Sequence, residues 1–136
     1  MRLRHIPGSE EFVRRASATV NEPERYRGKW SAFFREDAPL ALEIGMGKGR
    51  FLRELSAREP GWNFLGLERY ASVLQKAIER KEREEREQGK KERENLFFLW
   101  EDAKRLTEIF APGEVARIYL NFSDPWPKAG HAMRRL

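Results

Sequence analysis

Residues 41–51 read ALEIGMGKGRF: an apolar run carrying one acid, Glu43, and then three glycines at alternate positions, Gly45, Gly47 and Gly49, before Arg50-Phe51. The run from Pro39 to Ile44 has the composition of a buried strand, and Phe51, Leu52 and Leu55 recur at helical spacing. The stretch is therefore strand, glycine turn, helix. Glycines at such a turn permit positive φ and leave no side chain, so a ligand can lie against the backbone and the helix amino terminus.

The same alternation continues outward. Trp62 to Leu67 forms a second apolar run ending at Glu68, and Val73, Leu74, Ala77 and Ile78 fall on one helical face. Leu96 to Trp100 is a third run, ending at Glu101-Asp102; a short helical segment through Leu106, Ile109 and Phe110 leads to a fourth strand, Val115 to Phe122. Near-continuous apolar strands separated by helices predict an α/β fold: a parallel sheet covered on both faces, in the order 3-2-1-4. Before Pro39, Glu10 to Val20 is predicted as an amphipathic helix and Asn21 to Lys29 as loop. The expected organisation is a basic extension over 1–38 and a partial domain over 39–136.

Composition narrows the function classes. The chain has 136 residues, 40% hydrophobic and 36% charged, without cysteine. It therefore has no disulfide or thiolate metal site, and two isolated histidines, His5 and His131, do not make a metal cluster. The opening Met-Arg-Leu-Arg-His lacks the apolar core of a signal peptide, so a cytoplasmic location is expected, and no run approaches membrane-spanning length. The net charge of +5 is concentrated early: residues 1–35 hold eight basic and four acidic side chains, the other 101 hold 19 and 18. A positive flank suits a polyanionic partner. By contrast, the tract from Glu79 to Glu94 has seven charges of each sign and is expected to be a solvated helix laced with i,i+4 pairs, ending or kinking at Gln88-Gly89.

Glu68 lies about 20 residues beyond the glycine turn, where a carboxylate can accept both hydroxyls of a ribose. Glu43, immediately before the turn, would repel a pyrophosphate but attract a ligand bearing a sulfonium and an ammonium. That difference favours S-adenosylmethionine over a nicotinamide dinucleotide. Asp102 is then placed to reach the adenine edge. Each acid has a plainer reading as a cap or solvated strand-end carboxylate, yet Glu43, Glu68, Asp102 and Asp124 stand at four successive strand exits, as a shared ligand crevice requires. At the last exit, YLNFSDPWPK (Tyr119–Lys128), Pro125 and Pro127 stiffen the loop that carries Asp124 and Trp126.

ALEIGMGKGRFL, NFLGLERY and YLNFSDPWPK, followed by His131 and Arg134-Arg135, resemble the bacterial tRNA (guanine-N7)-methyltransferases. The resemblance implies the Rossmann-like fold of S-adenosylmethionine-dependent methyltransferases and methylation of N7 of guanine 46 in the tRNA variable loop. It implies cofactor binding by Glu43, the loop glycines Gly45, Gly47 and Gly49, Glu68, Asp102 and Asp124. Asp124 also matches the catalytic acid, while Lys128, His131, Arg134 and Arg135 are expected on the tRNA side. Ala129, Gly130 and Met133 stand where the family carries further basic residues. The family also continues through three more strands, so the chain is expected to be the amino-terminal part of a domain. Its fourth strand should then expose an edge that pairs with missing carboxyl-terminal polypeptide or with a second copy. Alternative readings are methylation of an exocyclic amine and a noncatalytic cofactor- or tRNA-binding fragment.

Overall fold

A computed structural model describes residues 6–34, 37–89 and 94–121. The elements are α1 (Ser9–Arg15), α2 (Trp30–Phe34), β1 (Leu40–Ile44), α3 (Arg50–Arg58), β2 (Asn63–Glu68), α4 (Ala71–Glu87), β3 (Leu96–Trp100), α5 (Leu106–Ile109) and β4 (Arg117–Leu120). A 3-10 turn at Pro23–Tyr26 stands in the segment predicted as loop, and another at Ala103–Arg105 precedes α5. The four strands form one parallel sheet in the order β3-β2-β1-β4, as expected from the alternation of apolar runs.

Alternation along the strands divides the core into two layers. On one face Ala41, Phe64, Leu96, Phe98 and Tyr119 meet Val13 of α1, Leu52 and Leu55 of α3, and Leu74, Ala77 and Ile78 of α4. On the other, Leu40, Leu42, Leu65, Leu67 and Leu99 meet Trp30 and Phe34 of α2 and Ile109 of α5. All six residues of β2 are buried, as a central strand covered on both sides demands.

The amino-terminal segment supplies both layers. The predicted helix over Glu10–Val20 stops at Arg15 because the chain then runs extended beside β3: Val20 N–H donates to Phe98 O at 2.9 Å and Phe98 N–H to Ala18 O at 2.8 Å. The segment thus passes from α1 on one face, around the outer edge of β3, to α2 on the other. There the Trp30 indole N–H donates to the Ile109 carbonyl at 3.0 Å. The Glu114 carboxylate accepts the N–H groups of Gly28 (2.8 Å), Trp30 (3.1 Å) and Ala111 (3.0 Å), a long-range cap that satisfies orphan donors at the start of α2. The outer edge of β4 has no strand partner among the described residues.

The charged tract needs correcting. Its helix ends at Gln88-Gly89 as predicted, with Gly89 at φ 62°. It is not uniformly solvated, however, since Lys81 is fully buried and bonded to the nearly buried Glu85 at 2.7 Å. Among the described residues no helix is long and apolar enough to cross a membrane.

Candidate functional site

The glycine turn is built around Met46. Its side chain is buried against Gly66 of β2, where a Cβ would collide with the Met46 Sδ and come within 2.8 Å of Leu52 Cδ1. Gly66 is a glycine inside a strand for that reason, a signal of close approach that the NFLGLE pattern carries. The Gly45 and Met46 N–H groups both donate to Leu67 O, at 2.8 and 3.1 Å. Gly45, Gly47 and Gly49 all have positive φ, at 70°, 61° and 77°. Beside Gly45 and Gly47 the space is open, whereas a Cβ on Gly49 would press on Ala77 Cβ at 3.3 Å. The first two glycines leave room for a ligand; the third lets α3 pack on α4.

Glu68 closes the turn. Its Oε1 accepts the Gly47 N–H at 3.0 Å and its Oε2 the Tyr70 N–H at 3.0 Å. Burial raises its pKa above the usual carboxylate value, opposed by hydrogen bonds from the Tyr70, Gly47 and Arg69 backbones and by the Arg69 charge. The carboxylate therefore holds the loop.

Glu43 has a different environment. It is 1% exposed. Its Oε2 accepts from Asn121 Nδ2 at 3.1 Å, and among the described residues its Oε1 has no partner. Burial pushes this carboxyl up to about 8, against the lowering effect of the Asn121 bond and with a further push from Glu68. A buried carboxyl oxygen with nothing to bond is costly, and such groups call for an explanation. A cationic ligand seated over the open glycine turn supplies one, and so the residues present fit S-adenosylmethionine.

The structure brings together Glu43, Glu68 and the glycine turn. Glu43 pairs in register with Gly66, two rows below Glu68, so it sits inset from the strand tips rather than at them. Asp102 lies two residues past β3, next to Glu101, whose N–H approaches Glu68 O at 3.3 Å. Asp102 Oδ1 accepts the Lys104 N–H at 2.9 Å, which is the capping role weighed for it from sequence. Asp124, Lys128, His131, Arg134 and Arg135 lie outside the described residues. Sequence reasoning missed Asn121; a lone amide inside the fourth apolar run, Val115 to Phe122, was the available signal. A separate apolar hollow of about 270 Å³, lined by Leu42, Leu106, Phe110, Val115 and Ile118, carries none of these acids and does not suit a cation. Among the described residues no group of three or more metal-ligating side chains forms a metal site.

A parallel 3-2-1-4 sheet with a glycine turn after β1, an acid inset in β1 and another at the exit of β2 is the frame of a Rossmann-like methyltransferase. A solved structure described as an antibiotic related methyltransferase shares this fold, with a TM-score of 0.59 over 82% of this chain and 53% of that one, at 17% identity. The chain belongs to the methyltransferase family Methyltransf_4, described as "Putative methyltransferase", whose model matches residues 37–136. Over its full length it is 50% identical to a protein of Lachnoclostridium phytofermentans and 47% identical to one of Brevibacillus brevis, covering 60% of each. It is 40% identical to a protein of Bacillus subtilis, covering 61% of it. All three are named tRNA (guanine-N(7)-)-methyltransferase. The chain thus spans about 60% of the length of these relatives.

Proposed function

We propose that this chain is part of an enzyme that transfers a methyl group from S-adenosylmethionine to N7 of guanine 46 in the variable loop of tRNA. The observation that carries the cofactor half is the buried Oε1 of Glu43, without a partner among the described residues, beside an open glycine turn. The identity of half the residues with a relative of that name supports the tRNA half. Glu43, Glu68, Asp102 and the backbone of Gly45, Gly47 and Gly49 hold the cofactor, with Asp124 from the fourth strand exit. Bound there, S-adenosylmethionine supplies an electrophilic methyl on a positively charged sulfur.

Guanine N7 presents a lone pair and no proton, so the N–C bond forms as the S–C bond breaks without a general base at the nucleophile. The protein's work is therefore positional. Holding reactants in line can lower a barrier by about 7–11 kcal/mol. Asp124 orients the guanine edge and offsets the charge developing on the purine, while Lys128, His131 and the Arg134-Arg135 pair grip the tRNA, the arginines on phosphate. The cytosol is the compartment this reading implies. The outer edge of β4 is completed by polypeptide corresponding to the relatives' additional length, or by a second copy.

Incubating the complete protein with methyl-labelled S-adenosylmethionine and unmodified tRNA tests the reading. Label should appear as 7-methylguanosine at position 46, and Asp124→Ala should abolish it with cofactor binding weakened but measurable. Label on an exocyclic amine, or cofactor binding without transfer, overturns it.

A further inference from the structure

Asn121 is the residue immediately after β4, and the register pairs Glu43 with Tyr119, so the Asn121 amide that holds Glu43 comes from two rows nearer the carboxyl edge of the sheet. The bond therefore draws the Glu43 side chain along the sheet toward the glycine turn. One neutral N–H is weak support for a carboxylate that is 1% exposed, and among the described residues its second oxygen has none. Among the described residues, the elements packed around it add no cation to it. From β2 it faces Glu68, whose charge opposes its own ionisation. On α3 the Arg53 guanidinium is turned to Glu84 and to the Lys48 carbonyl. On β4 the Tyr119 hydroxyl accepts from Arg117.

We propose that Asn121 is a positioning residue that aims the Glu43 carboxyl into the crevice, and that a cationic ligand arriving there displaces the carboxyl proton, so that cofactor uptake is a proton exchange. The inference rests on the functional reading above. The proton leaves Glu43 for solvent, the ligand's positive charge takes its place, and the net charge of the crevice is conserved. Without the ligand, burial, with a further push from Glu68 and against the Asn121 bond, raises the carboxyl pKa to about 8 and so favours the protonated form below it. Asn121 favours the charged form, so its loss should extend the protonated range upward.

Calorimetric titration of the complete protein with S-adenosylmethionine, run in phosphate and in Tris, counts the protons released. At pH 7 the wild type should release close to one proton per cofactor bound. Glu43→Gln should release none beyond the ligand's own titration and bind at least tenfold more weakly. Asn121→Ala sits at a partly exposed strand end and should fold normally. It should bind several-fold more weakly and still release a proton at pH 8.5, where the wild type releases only a fraction. A wild type that binds without releasing a proton, or an Asn121→Ala protein matching it in affinity and proton count at both pH values, overturns the inference. Absence of binding by the wild type instead removes the functional reading, and this inference with it.

Discussion

Glu43 shows how a single buried residue can make stability depend on pH. Its carboxyl is raised from 4.5 to about 8 in the folded chain, chiefly by burial. Between those values the folded protein holds a proton that the unfolded chain has lost. Stability therefore falls as pH rises through this window, by up to about 1.4 kcal/mol per pH unit. Glu68 is shifted in the same direction, so it adds a slope of the same sign. In urea melts from pH 5 to 8.5, Glu43→Gln should reduce the decline without removing it. The variant should be the more stable protein at pH 8.5. An unchanged pH dependence would show that Glu43 is not buried as described. The glycine turn was legible from sequence because glycine has few structural uses beyond such turns and close approaches. The bond from Asn121 was not, because an asparagine at a strand end has many uses.

At the scale of elements, α4 shows why a charged tract cannot be read by composition alone. Leu74, Ala77, Ile78, Lys81 and Glu85 are all buried and follow one another at helical spacing, so the buried stripe of α4 runs on into the charged segment. The spacing was present in the sequence, but balanced charge pointed to solvent. Lys81 tolerates its position because its ammonium is bonded to Glu85 at 2.7 Å. Lys81→Met alone removes that partner from a nearly buried carboxylate and should cost roughly 3–5 kcal/mol in chemical denaturation. Lys81→Met combined with Glu85→Leu should recover most of the loss. A double variant as unstable as the single one would show that the pair is not coupled.

For the whole molecule, the amino-terminal segment binds the two layers together. Val13 and Ala18 enter one core, Val20, Trp30 and Phe34 the other, and the strand-like stretch between them covers the outer edge of β3. Fully burying a large side chain is worth about 1.5–3 kcal/mol, so these residues together rival the net stability of a small domain. Deleting residues 1–34 should leave a chain without fixed near-ultraviolet dichroism, prone to edge-to-edge association measurable by light scattering. A monomeric, cooperatively unfolding deletion protein would show that the segment is dispensable.

The sequence by itself determined the order of strands and helices, the glycine turn, and the place of Glu68 at the end of the second strand. Each of these rests on local periodicity or on a residue type with few alternative uses. Tertiary structure alone decided that Ala18–Val20 pairs with β3, that Lys81 and Glu85 are buried, that Glu114 caps α2, and that Asn121 holds Glu43. Each of these joins groups whose pairing depends on which surfaces meet when the layers close, and local spacing does not encode that meeting.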